Sequence, residues 1–165
     1  MVADAVQRGK CNVPDLSEEL SNGPSVGSAL FREALTDVAD GIRSAAEGDL
    51  KDLLAKSGLP MPLFNAMVFA GDVFVAKPDA WWPEFGVAVE VDSREWHMSP
   101  QDHARTLERQ RRMGKHGIIL MPFTPSQIRK HPADVVAEIR EALESARSRP
   151  PLNLRTVPTD YNAAA

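Results

Sequence analysis

A single cysteine, Cys11, stands in the 165 residues of the chain. An internal disulfide and a zinc site built from several cysteines are therefore excluded. The four histidines show no ligand spacing that would make zinc an expected cofactor. No run approaches the roughly 20 apolar residues of a membrane span. The N-terminus also lacks the charged-then-apolar layout of a secretory signal. These absences point to a reducing, cytoplasmic setting without a membrane. An overall positive charge is missing too, since the net charge is −4. Residues 1–60 carry that imbalance, with 6 basic and 10 acidic side chains, while the rest is even at 13 and 13. Within the even part, residues 94–115 hold six basic and three acidic side chains. Such a local basic face suffices to contact phosphates, with modest and salt-sensitive affinity.

What is present is ordinary for one globular domain: 43% hydrophobic and 25% charged residues, in a chain long enough to bury a full core. Short helices are expected at 2–8, 15–20 and 25–40, with Asn22-Gly23-Pro24 as a break. An amphipathic helix follows over 42–56, its apolar positions Ile42, Ala45, Ala46, Leu50, Leu53 and Leu54 at helical spacing. From Leu63 the period changes to two. Strands are expected at 64–69, 73–76, 80–82 and, most clearly, 86–92. A helix from residue 100 or 101 to 113, stopped by Gly114 and Gly117, leads to a strand at 118–121 and a helix at 133–146. No internal repeat is present. The expectation is an α/β fold with a mixed sheet, divided into a helical connector (1–41), a core (42–147) and an extended or disordered tail (148–165).

The strand at 86–92 carries the chemistry. Side chains alternate between faces, so Val87, Val89 and Val91 point one way and Ala88, Glu90 and Asp92 the other. Two carboxylates on one sheet face repel, and a hard divalent cation converts that repulsion into coordination. A turn around Pro83-Glu84-Phe85-Gly86 brings Asp79 beside the pair. For Glu90 and Asp92 alone, an exposed acidic edge explains the pattern as well. Beyond them come Trp96-His97 and a helix with Arg105, Arg109 and Arg112 on one face. That stripe is either a solvated face, as Glu108 four residues before Arg112 suggests, or a holder of phosphate oxygens. Trp81 and Trp82 cannot share a side of one strand, and core or rim packing is expected of both. His103 and His116 are expected at the surface.

Pro78-Asp79, ten residues, then Glu90-Val91-Asp92 resembles the PD-(D/E)xK nuclease signature with its last position altered. The run Val91 to His97 resembles the stretch around the catalytic histidine of very-short-patch-repair mismatch endonucleases. Ser44-x-x-Glu47, Gly58-Leu59-Pro60, Pro78-Asp79-x-Trp81, Val89-Glu90-Val91-Asp92, Trp96-His97 and Gly117, in that order, are similar to a bacterial family related to those enzymes. The resemblance covers about two thirds of the chain and implies a restriction-endonuclease-like core of helix, three strands, helix, strand and helix. It implies Mg²⁺ or Mn²⁺ held by Asp79, Glu90 and the backbone of Val91, with Glu47 reaching the metal through water and Asp92 beside them. It further implies His97 as general base, DNA as substrate, and phosphate contacts from Arg105, Arg109 and Arg112. In related architectures the domain follows a winged helix of the kind found in AbiEi-type antitoxins, so an N-terminal partner domain and a homo-oligomer are further expectations. The signature's lysine is replaced by Asp92, which leaves His97, Lys77 or Arg105 to fill its role. Two functions follow: a metal-dependent endonuclease in repair or phage defence, or a catalytically inactive nuclease-fold module of a DNA-binding regulator.

Overall fold

In the computed structural model, residues 5–6, 10–11, 13–23, 27–92 and 100–159 are described. Most of the expected helix at 2–8 lies outside them. Helix α1 (Val13–Asn22) packs on helix α2 (Ala29–Lys56) through Val13, Leu16 and Leu20 against Leu35, Val38 and Ile42. The expected division of α2 at Gly41 does not occur: 28 residues form one helix through Gly41 and Gly48. A lone glycine costs a helix only about 1 kcal/mol. Apolar burial at both ends of α2 outweighs that, at Leu35 on α1 and at Ala46, Leu50 and Leu54 on the core. The boundary between connector and core therefore falls inside a continuous helix.

Strands β1 (Leu63–Phe64), β2 (Met67–Ala70), β3 (Val73–Ala76), β4 (Ala80–Trp82) and β5 (Val87–Val91) follow. Then come α3 (Pro100–Lys115), β6 (Ile119–Phe123), α4 (Pro125–Lys130), α5 (Pro132–Ala146) and β7 (Arg155–Val157). The single strand expected at 64–69 is two strands, because Asn65 adopts a φ of 54° and turns the chain between sheets. One sheet has the order β1-β4-β5-β6 and the other β3-β2-β7. In the first, β5 is antiparallel to β4 and parallel to β6, so the sheet is mixed. The fold is thus a mixed α/β arrangement with two sheets.

Valines 87, 89 and 91 face α2 and α5, packing with Leu50, Leu54, Ile139 and Leu143. Ala88 faces the other way, into a second cluster with Val68, Val75, Trp81 and Met113 of α3. The two tryptophans divide as their alternation requires, Trp82 into the first cluster and Trp81 into the second. Each indole N–H finds an acceptor, Trp82 on the Pro60 carbonyl (2.7 Å) and Trp81 on Thr156 Oγ1 (3.0 Å).

That last bond corrects the expectation of an irregular tail. β7 pairs antiparallel with β2, and Leu152 and Leu154 pack against the second cluster. Two leucines beside an open strand edge suffice to dock the segment despite the prolines before it. Thr156→Val should strip the Trp81 indole of its acceptor at nearly constant volume. A buried donor left unsatisfied costs about 1–3 kcal/mol, readable as a lower urea midpoint with an unchanged slope. Two smaller differences concern α3, which runs through Gly114 to Lys115, and β6, which extends through Pro122. Pro122 is tolerated because β6 is an edge strand.

Candidate functional site

Asp79 lies directly before β4, and the β4–β5 register pairs Ala80 with Val89. The next position outward sets Asp79 opposite Glu90, and directly opposed residues share a sheet face. The hairpin expected from the sequence thus brings these two carboxylates together. Both are buried, at 7% and 5% exposure. Asp79 Oδ2 accepts the Val91 N–H at 2.7 Å. Glu90 Oε2 accepts from Arg109 Nη2 at 3.0 Å, while Glu90 Oε1 and Arg109 Nε are buried without partners.

Burial pushes both carboxyls above their ordinary values. For Asp79 the Val91 N–H pulls the other way and the Glu47 charge adds to the rise, with Arg43 and Arg109 opposing it. For Glu90 the Arg109 guanidinium opposes burial, and the charges of Asp79 and Asp92 reinforce it. Glu47 and Asp92 are therefore close enough to act on the pair electrostatically. Glu47 is half-buried on α2 and held by Arg43 Nε at 3.2 Å, one turn away. Asp92 follows β5, its N–H donating to the Phe123 carbonyl at 2.8 Å.

Among the described residues, no three His, Cys, Asp or Glu side chains form a group that could hold a metal ion. The acidic cluster read from the sequence narrows to the pair Asp79 and Glu90. Mg²⁺ keeps several waters and needs only one or two carboxylates, so two hard donors remain a fitting set. Glu90 Oε1 is a buried acceptor without a hydrogen-bond partner, a state that is uncommon for buried polar atoms. The N–H and C=O of one residue point to the same side of a strand, so the Val91 carbonyl lies on the side of Asp79.

The arginine stripe separates into three roles. Arg109, with 39% of its side chain exposed, pairs with Glu90. Arg112 Nε donates to the Val75 carbonyl at 2.5 Å and its guanidinium sits 5.8 Å from the Phe74 ring centre, away from the carboxylates. Arg105 is exposed and lines an open recess of about 540 Å³ along α3 with Thr106, Glu108, Arg109 and Arg112. Lys77 is exposed in the loop before Asp79. Trp96 and His97 lie outside the described residues. Sequence reasoning missed Arg43 as the partner of Glu47, although their spacing of four is the helical pairing distance. It also missed that Arg109 reaches Glu90.

Arg109→Gln should destabilise the protein at neutral pH by about 1–3 kcal/mol, between the values for exposed and buried pairs. Glu90 then loses its main compensating charge and its carboxyl rises further. Stability should recover on acidification as Glu90 takes a proton, so urea midpoints of parent and variant should converge at low pH.

No family profile matches the chain, and no solved structure matches it. Two curated relatives do, both from Mycobacterium tuberculosis: uncharacterized protein MT2308 of strain CDC 1551 and uncharacterized protein Rv2248 of strain H37Rv. Each is 28% identical over 121 residues, which is 73% of this chain and 45% of the relative. The chain thus spans less than half the length of these relatives.

Proposed function

We propose that this chain carries a restriction-endonuclease-like core acting as a metal-dependent DNA endonuclease. The carrying observation is the buried Asp79–Glu90 pair with its unpartnered Glu90 Oε1. Two carboxylates buried side by side cost stability unless something compensates them. Arg109 reaches one oxygen of Glu90 only, and a divalent ion accounts for the rest. The order of elements around the first sheet supports the reading: α2, three strands (β1, β4, β5), α3, β6 and α5, with β2 and β3 as an excursion into the second sheet.

Asp79, Glu90 and the Val91 carbonyl would hold Mg²⁺ or Mn²⁺, with Glu47 reaching it through water. When bound, such an ion supplies Lewis-acid stabilisation of the charge developing on a phosphodiester. His97 serves as general base in this reading, since an imidazole titrates near neutral pH. Arg105, exposed on the recess, is the arginine best placed to hold substrate phosphate. Arg109, beside Glu90, takes the place of the absent lysine as the nearest cation.

The test is incubation of supercoiled plasmid, duplex and mismatched oligonucleotides with Mg²⁺ or Mn²⁺ against an EDTA control. Nicking or cutting that stops with EDTA is expected. A second reading, a non-catalytic module of a DNA-binding regulator fused to or paired with a winged helix, is favoured by Asp92 at the lysine position and by the Arg109 ion pair. No cutting of any DNA form, together with no heat of Mn²⁺ binding in calorimetry, would decide for it.

A further inference from the structure

The second sheet has an outer face that the carboxylate site does not use. Val68 and Thr156 point inward, to the core and to Trp81. Their neighbours Met67, Phe69, Arg155 and Val157 therefore point outward. The register sets Phe69 across from Phe74 on one side and from Arg155 on the other. The two rings meet edge to face with centroids 5.7 Å apart. The Arg155 guanidinium lies 4.6 Å from the Phe69 centroid, and Arg112 reaches from α3 to within 5.8 Å of the Phe74 centroid. The result is a row across the sheet: Arg155, Phe69, Phe74, Arg112.

Phe74 is 43% exposed and Val73 beside it 65% exposed. Among the described residues neither Arg112 nor Arg155 forms an ion pair with a carboxylate. An aromatic pair bracketed by two uncompensated guanidiniums matches a polyanion with planar rings. Bases stack on aromatic rings and on guanidinium planes, while arginines track the backbone. Arg112 and Arg109 are one helical turn apart, so the row ends roughly 5 Å along α3 from the arginine that holds Glu90.

We propose that this sheet face binds single-stranded nucleic acid, its bases stacking on Phe69 and Phe74 and its phosphates meeting Arg155 and Arg112. The inference does not rest on the carboxylate pair holding a metal. The surface binds with EDTA present, where cutting cannot occur.

The test is fluorescence anisotropy of the full chain with labelled 15-nucleotide oligothymidylate, oligouridylate and a duplex of the same length, all in EDTA. Single strands should bind more tightly than the duplex, and the two single strands distinguish deoxyribose from ribose preference. Phe74→Ala should weaken binding roughly 5- to 150-fold, the range for losing a base–aromatic stack. Arg155→Gln should weaken it and flatten the salt dependence by about 0.7 in slope, one phosphate contact. Both side chains are exposed, so unchanged urea midpoints should confirm that the variants fold. Asp79→Asn should bind single strands like the parent, which keeps this result separate from the fate of the nuclease reading. The proposal is overturned if the parent prefers duplex or binds nothing, or if both face variants bind like the parent. It is equally overturned if Phe74→Ala converts an oligomer to a monomer in sedimentation, because the face then joins copies of the chain.

Discussion

Asp79→Asn should lose metal-dependent DNA cutting by roughly 10²–10³-fold or more, the scale for removing one charge-stabilising group. Mn²⁺ affinity measured by calorimetry should fall at least about 10- to 100-fold, a loss that even outer partners of a metal ligand produce. The same substitution should make the metal-free protein more stable at neutral pH. Asparagine keeps an oxygen to accept the Val91 N–H and removes a buried charge. The sign follows from linkage. A carboxyl whose folded pKa lies above its unfolded value contributes full stability below the unfolded value, and loses it as pH rises through the folded one. For Asp79, burial is the largest cause of the rise, so the parent should lose stability as pH climbs from acid toward neutral. Asp79→Asn should flatten that decline. Each kcal/mol recovered should raise Tm by roughly 2–4 °C. Glu90→Gln should likewise abolish cutting but gain less stability, because it also unpairs Arg109. A parent and Asp79→Asn with parallel pH–stability curves would sink the buried-charge account, whatever the activity.

Gly86→Ala should be the most damaging small substitution in the β4–β5 turn. Gly86 has a φ of +63°, and an added Cβ would stand 2.6 Å from Leu152 Cδ1. Left-handed strain and overpacking each cost about 1–3 kcal/mol, so a total of about 2–6 kcal/mol is expected in urea unfolding. The turn sets Asp79 opposite Glu90, so the residual folded protein should also bind Mn²⁺ less well. Adding Leu152→Ala separates the two costs. It should relieve the steric part and leave the backbone part, giving a coupling energy of opposite sign to the single losses. Additive effects would mean that Leu152 has room to move aside.

The carboxylate pair was legible in the sequence because it needs only a period of two and a turn. Alternation placed Glu90 opposite the valines, and the turn residues between Trp82 and Val87 set Asp79 across from it. The same alternation separated Trp81 from Trp82. What was not legible depends on contacts between distant segments. Nothing local to Leu152-Asn153-Leu154-Arg155 announces a strand, since its partner β2 lies more than 80 residues earlier. The union of two helices across Gly41 likewise turns on burial at both ends. One miss was local: Thr124-Pro125-Ser126-Gln127 carries the capping-box spacing and a proline at the first helical position, and it opens α4 with both reciprocal bonds formed. The destination of Arg109 needed three dimensions, because helical spacing aligns it with Arg105 and Arg112 and says nothing of the sheet beneath.

The unbroken α2 makes Glu47 mechanically answerable to the N-terminal cluster. Leu35, gripped by α1, and Glu47, facing Asp79 electrostatically, are twelve residues apart on one helix, about 18 Å along its axis. Over that length the chain is helical throughout, without a loop between the two positions. Gly41 lies midway with open space around it, so Gly41→Ala should stabilise the helix by about 1 kcal/mol of helix propensity. The N-terminal cluster and Glu47 thus share one rigid frame, with no loop between the residues that α1 grips and the acid whose charge acts on Asp79.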